Sequence, residues 1–341
     1  MKYILIDTYN LFFRAKHVAG YNATLDDKLG MAMHMMFASA NKVIKRLDVD
    51  HVVFALEGNS WRKSYYPPYK KQRAVKRQAR TEKEVEEDAL FFETLNNFVE
   101  YLINKTNCSV MLAPDAEGDD IIARFTILHP DDDHVILSND TDFYQLISDN
   151  VSQYVGTASE LITINGTFDD NGKQTVNKKT HLPKQLEDPK WLLFEKCIRG
   201  DTSDNIFSAY PGVRKKGTKN KTGLLEAFDD KEKKGYAWNN LMLQRWTDHH
   251  GKEHRVLDDY ERNCHIIDLT AQPNNIIESI DATINWTVTE NRINVIPNNK
   301  VNFGFMKFCN THQLLNLAKY PKDIVIWLCK GYNGVLTNGK T

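Results

Sequence analysis

Nine carboxylates fall in five groups along the chain: Asp7, Glu57, the trio Glu117, Asp119 and Asp120, the pair Asp140 and Asp142, and the pair Asp201 and Asp204. Brought onto one edge they would repel one another unless cations neutralised them, because unpaired charges in a cleft raise their own pKa values and destabilise a fold. Oxygen donors with no supporting His or Cys select hard cations, Mg²⁺ or Mn²⁺, over zinc. Two such ions activate a water and stabilise a leaving oxygen, which is the chemistry of phosphodiester hydrolysis. Taken singly, each group is equally a turn former or a helix N-cap. Asp131-Asp132-Asp133, at the amino end of a strand-like run, reads as a solvated turn.

A basic segment follows Glu57. Arg62-Lys63-Ser64-Tyr65-Tyr66-Pro67-Pro68-Tyr69-Lys70-Lys71-Gln72-Arg73 continues through Lys76, Arg77 and Arg80. If the stretch after Pro68 is helical, Lys70, Arg73, Arg77 and Arg80 share one stripe suited to a phosphate backbone. Trp61, Tyr65, Tyr66 and Tyr69 then offer faces for stacking on unpaired bases. The competing reading pairs these cations with the acidic run Glu82 to Asp88 just downstream.

These groups need a scaffold that sets them in register. Short apolar runs at Tyr3 to Ile6, His51 to Leu56, Ser109 to Leu112 and His134 to Ser138 read as buried parallel strands. Leu29 to Leu47 and Thr81 to Asn104 carry apolar residues at helical spacing, and Thr81-Glu82-Lys83-Glu84 is a capping-box pattern. Strands alternating with helices imply an α/β fold with a mostly parallel central sheet flanked by helices. The acidic groups then sit at the carboxyl ends of the strands, the edge where open α/β sheets bind ligands. Residues 156 to 188 read as a hairpin or loop excursion. A helix is expected from Asp188-Pro189 to near Gly200, and mostly helical structure after it. The expected division is an α/β domain over 1–188 and a mostly helical C-terminal domain over 189–341.

The 44 Lys and Arg against 45 Asp and Glu give a net charge of −1, so only the distribution of charge points to a polyanionic partner. Five dispersed cysteines without a Cys-x-x-Cys pair argue against a disulfide framework and a zinc module. The start of the chain carries no charged leader or apolar run of spanning length, so a cytoplasmic location without a membrane partner is expected. His249, His250 and His254 read as solvated residues of a helix end. Leu257, Phe305, Phe308 and Leu314 read as helical packing.

Leu5-Ile6-Asp7 with Asn10, Trp61-Arg62-Lys63, Tyr69 to Arg73, Glu117-Gly118-Asp119-Asp120, Ser138-Asn139-Asp140-Thr141-Asp142-Phe143 and Arg199 to Ile206 occur in one order over roughly residues 3 to 230. In these motifs the chain resembles the 5′-nuclease, or flap endonuclease, family, and most of all its phage ribonuclease H (5′-3′ exonuclease) branch, which removes RNA primers during DNA replication. The resemblance implies a PIN-like α/β domain with a helical arch at about 61–104 and a duplex-binding loop at about 206–228. It implies a structure-specific nuclease, exonuclease and flap endonuclease, using two Mg²⁺ ions, with Mn²⁺ able to substitute. Asp7, Glu57, Glu117 and Asp119 would form the first metal site with Asp120 beside it, and Asp140, Asp142, Asp201 and Asp204 the second. Lys70 and Arg73 would orient the scissile phosphate. Arg62, Tyr69, Arg77, Arg80, Lys215, Lys216 and Lys221 join them as nucleic-acid contacts. The implied partners are DNA or RNA–DNA duplex with a 5′ end or flap, and a single-strand-binding or other replication protein, with the nuclease itself a monomer.

The chain departs from the family pattern twice. Glu57 stands where the family usually has Asp, so this carboxylate reaches one methylene further. Pro211-Gly212-Val213 leads into an expanded basic loop, Arg214 to Lys221, in place of a compact Gly-x-Gly hairpin. Two other function classes share parts of the pattern. A non-catalytic binding protein on the same scaffold would lack several of the carboxylates. An Asp-x-Asp phosphatase would carry that motif after its first strand, where this chain has Asp7-Thr8-Tyr9.

Overall fold

The computed structural model describes residues 1–14, 18, 23–219, 221–290 and 295–337. The chain forms two compact units, one of Met1–Asn59, Arg80–Leu186 and Asn274–Thr341, the other of Ser60–Ala79 and Glu187–Pro273.

The first unit is built on a seven-stranded sheet of order β3-β2-β1-β4-β5-β6-β7. Strands β1 (Lys2–Asp7), β2 (His51–Ala55), β3 (Ser109–Met111), β4 (Asp133–Leu137) and β5 (Val151–Val155) run parallel. The four expected strands are all present, and nearly every residue of β1, β2 and β4 is buried, as a sheet covered on both faces requires. The fifth, β5, was not among them, since Ser152 and Gln153 interrupt its apolar pattern. Residues 156 to 188 supply β6 (Glu160–Thr163) and β7 (Gly166–Phe168), an antiparallel hairpin on the sheet's edge.

Two long helices cover the sheet. Leu25–Leu47 starts four residues earlier than its apolar stripe, at a Thr24/Asp27 capping box, and Glu82–Lys105 starts at the Thr81/Glu84 box read from the sequence. Their buried faces share one core with helices Asn298–Thr311 and Pro321–Leu328, where Phe37 meets Phe98 and Phe305 edge-on at 5.3 Å each. Residues 274–341 therefore belong with the α/β unit, whereas the sequence reading gave them to the C-terminal domain. The reason is long-range: Phe305, Phe308 and Trp327 complete a core whose other members, from Ile4 to Tyr154, lie far earlier in the chain, which local periodicity cannot report.

In the second unit, helix Pro189–Arg199 is capped by Asp188, carries Pro at its first turn and stops at Gly200 (φ 73°), as expected. It packs with helix Val256–Ile267 in a core of Trp191, Phe194, Ile198, Tyr260 and Ile266. Strands β8 (Arg245–Thr247) and β9 (Glu253–Arg255) form a hairpin. His254 lies on that hairpin and not at a helix end, stacked on Trp246 at 4.5 Å with both ring nitrogens facing carboxylates of Asp248 and Asp259.

Candidate active site

Strand order reverses at β1, which has β2 on one side and β4 on the other, and the carboxyl ends flanking such a reversal form the ligand crevice of open α/β sheets. Asp7 ends β1 there, 9% exposed, and caps the following helix by accepting the Asn10 N–H at 3.2 Å. Its other oxygen accepts the Ser138 hydroxyl at 2.8 Å, and Ser138 Oγ accepts the Asp140 N–H at 3.0 Å. One buried serine thus joins the Asp7 carboxylate to the Asp140 peptide across the reversal. Asn10 Oδ1 accepts both the backbone and the side-chain N–H of Asn139, which fixes the loop after β4. Asp140 then caps the turn Thr141–Leu146 through the Asp142 N–H at 3.0 Å.

Glu57 follows β2, and its loop is drawn against the start of helix Gly118–Leu128 by Gly58. A Cβ at Gly58 would lie 2.1 Å from the Ala113 carbonyl oxygen, so only glycine permits the bonds from its own N–H to Ala116 O at 2.9 Å and from Asn59 N–H to Pro114 O at 2.7 Å. Glu57 Oε2 consequently accepts the Gly118 N–H at 3.3 Å. Burial and the Glu57 charge together push the Tyr9 hydroxyl upward in pKa. Glu117, 5% exposed, precedes the helix, and Asp120, fully buried, accepts its N–H at 3.1 Å. Asp119 lies in the helix's first turn. The cap function of Asp7, Asp140 and Asp120 is therefore real, and it coexists with a carboxylate-rich edge. With only carboxylates, a hydroxyl and amides as donors, this edge fits a hard divalent cation, and no thiol or imidazole is needed for it.

The second unit holds the other pair. Gly200 lets the chain fold back on itself: a Cβ there would lie 2.3 Å from Ile206 O, and Asp201 and Ile206 exchange backbone hydrogen bonds at 2.9 and 2.7 Å. Inside this turn Asp201 accepts the Ser203 N–H and hydroxyl at 2.7 and 2.6 Å and pairs with Lys196 at 2.7 Å. Burial pushes the Asp201 carboxyl upward, but the Lys196 ammonium and the Ser203 hydrogen bonds outweigh it and lower its pKa to about 2. Asp204 accepts Arg73 Nη2 at 2.6 Å and the Tyr69 hydroxyl at 3.2 Å, with Lys70 Nζ 3.7 Å away. Lys70 adopts a left-handed backbone (φ 52°) and donates its N–H to Asp204 O at 2.8 Å, so the cationic turn and the acidic turn are locked together.

The cationic stripe is shorter than expected. The helix runs Lys71–Gln78 with Lys70 as its cap, so Arg73 and Arg77 lie on it and Arg80 does not. Arg80 pairs with Asp88, the competing reading of its charge. Arg62 is 1% exposed, donates to Ile266 O at 2.7 Å and lies 4.8 Å over the Trp61 ring, so it is part of the second unit's core. Trp61, Tyr66 and Tyr69 are buried as well, and Tyr65, half exposed, is the one of the four expected stacking residues with an accessible ring. In the loop, Lys215 pairs with Glu187 at 3.0 Å and lies 5.3 Å over Trp191. Glu226 closes the loop by accepting the Gly217 and Gly223 N–H groups at 3.0 Å each, and Lys216 and Lys221 are exposed; Asn220 lies outside the described residues. Ser138 and Lys196 were missed by the sequence reading. Ser138 opens the motif Ser138 to Phe143, and Lys196 stands one helical turn before Gly200, where a cation could reach the acidic turn.

A mainly parallel α/β sheet with buried carboxylates at its topological reversal, and a second unit that ties two further carboxylates to a cationic turn, define a metal-dependent nuclease. The chain belongs to the 5′-3′ exonuclease family: the model of that family's N-terminal resolvase-like domain matches residues 2–179, just over half of the chain. A 5′-3′ exonuclease of Mycoplasmopsis pulmonis is 26% identical over 235 residues, 68% of this chain and 68% of that protein. A thermostable DNA polymerase I of Thermus filiformis is 27% identical over 235 residues, 67% of this chain, and the chain spans only 24% of the polymerase's length. The fold is also that of the phage T5 flap endonuclease in its pseudo-enzyme-product complex with DNA and metal ions, with a TM-score of 0.56 at 20% identity, covering 83% of this chain and 98% of that one. Among the described residues no helix is long and apolar enough to cross a membrane.

Proposed function

We propose that the chain is a structure-specific 5′-nuclease that cuts phosphodiester bonds at 5′ ends and flaps of DNA or RNA–DNA duplex, with primer removal in phage-type replication as its setting. The observation that carries the reading is the Asp7–Ser138–Asp140 chain of hydrogen bonds across the sheet's reversal, in a member of the 5′-3′ exonuclease family. We assign one Mg²⁺ to Asp7, Glu57, Glu117 and Asp119, with Asp120 holding the Glu117 peptide in place. The family resemblance alone assigns the second to Asp140, Asp142, Asp201 and Asp204. Bound as a pair, such ions supply an activated water and a Lewis acid for the leaving oxygen.

The chain's own residues do the rest. Ser138 holds Asp7 and the Asp140 peptide in a fixed relation, so the donor oxygens need not reorganise when a cation arrives. Lys70 and Arg73, which balance Asp204 here, would pass their ion pairs to a phosphate once a cation takes over that carboxylate. A phosphate held this way gains a fixed positive field where charge develops in the transition state. Arg77, Lys216 and Lys221, exposed and basic, extend the grip along the backbone. A gel of products from 5′-labelled flap, nicked and RNA-primed duplexes in Mg²⁺ tests the reading: short 5′ products are expected, and release of phosphate from p-nitrophenyl phosphate without cleavage of any duplex would overturn it.

A further inference from the structure

The Phe207 ring, three residues beyond Asp204, is 57% exposed, yet its peptide is held on both sides. Its N–H donates to the Tyr66 hydroxyl at 3.4 Å, and its carbonyl accepts from Asn263 Nδ2 at 2.9 Å and Arg262 Nη2 at 3.3 Å. Tyr66 and Asn263 are buried, so the anchor is part of the second unit's core. The Tyr66 ring meets Phe207 edge-on at 6.3 Å, and the Arg262 guanidinium lies 5.1 Å over Tyr66. Three residues on in the same helix, His265 meets the ring of Tyr65 at 5.7 Å. Helix positions 262 and 265 share a face, so one face of Val256–Ile267 supports two half-exposed aromatic residues, Phe207 through its carbonyl and Tyr65 through its ring, while the Arg262 charge is balanced by Asp259.

A lone exposed apolar side chain is ordinary on a protein surface. An aromatic ring on a backbone fixed by three hydrogen bonds, two of them to buried side chains, is different, because its direction is set in advance and it loses little freedom when something stacks on it. We propose that Phe207 and Tyr65 form a stacking ledge for unpaired nucleobases of a single-stranded segment. Every base has a π-face, so such a ledge takes single strands without regard to sequence. The inference deepens the nuclease reading and rests on it.

The test is binding, read in EDTA so that no cleavage intervenes. Flapped duplexes whose flap carries bases are compared with flaps of abasic residues, by fluorescence anisotropy, with 2-aminopurine in the flap reporting stacking. Phe207→Ala should weaken binding of the base-carrying flap by about five- to one-hundred-fold and relieve 2-aminopurine quenching, the scale of one lost base–aromatic contact. Phe207→Trp should retain both signals, Phe207→Leu should lose them, and the abasic flap should bind all four proteins alike. If the wild type binds base-carrying and abasic flaps equally, or Phe207→Leu matches the wild type, the ledge falls while the nuclease reading stands. If the wild type binds neither flap, both fall.

Discussion

Replacing Lys70 probes the link between the cationic turn and the chemistry. Its ammonium is 3.7 Å from Asp204 Oδ2 and 4.8 Å over the Tyr69 ring, its side chain is only 16% exposed, and its own N–H is bonded to Asp204 O. At that distance the gross attraction to one carboxylate charge is about 4 kcal/mol at an effective dielectric of about 20. A phosphate that takes the place of Asp204 inherits an interaction of that order, less what it loses in desolvation. Arg73 makes the shorter bond, 2.6 Å, but is 48% exposed, so solvent screening leaves its pair worth about 1 kcal/mol or less. Lys70→Met, which keeps the aliphatic stem, should therefore cut the single-turnover rate at saturating enzyme by about ten- to a thousandfold. Arg73→Met should cost the same rate about tenfold or less. The assay is rapid-quench cleavage of a 5′-labelled flap with enzyme in excess. Unchanged single-turnover rates in Lys70→Met, with only weaker binding, would refute the argument and make the turn an electrostatic grip.

Further expectations concern individual side chains. Glu57→Asp should keep substantial cleavage and Glu57→Ala should lose it; wild-type rates in Glu57→Ala would make Glu57 a bystander. Asp201 has its pKa depressed to about 2, so its contribution to stability is present above about pH 4 and is lost as pH falls toward 2. In EDTA, Lys196→Met should remove about 2 kcal/mol of stability at neutral pH and flatten that acid dependence in urea titrations, and an unchanged acid profile would contradict the assignment. Arg77→Ala should lower the slope of log affinity against log salt by about one, whereas Arg80→Ala, whose charge is already offset by Asp88, should change it less; equal slopes in both variants would restore Arg80 to the stripe.

The strands and the edge they present were legible because buried parallel strands are short, apolar and bounded, and because the carboxylates follow them directly. Asp7, Glu57 and Asp140 lie where the apolar runs end and Glu117 caps the helix that follows the third run, and that puts them on one side of the sheet. What the sequence hid depends on contacts between distant segments. Nothing local in Phe305 or Trp327 says that they complete the core under Phe37. The burial of Arg62 was hidden for the same reason, since a cation in a basic run looks solvated until the carbonyl it serves, Ile266 O, is known. The stripe through Arg80 failed for a local reason: the helix stops at Gln78, and the next helix has its own cap at Thr81.

The central claim, that these carboxylates hold cations for phosphodiester hydrolysis, is tested most directly by chelation and add-back on a 5′-labelled flap duplex. Cleavage should vanish in excess EDTA, return with Mg²⁺ or Mn²⁺, and not return with zinc alone, as hard oxygen donors require. Cleavage that continues undiminished in excess EDTA would contradict the account.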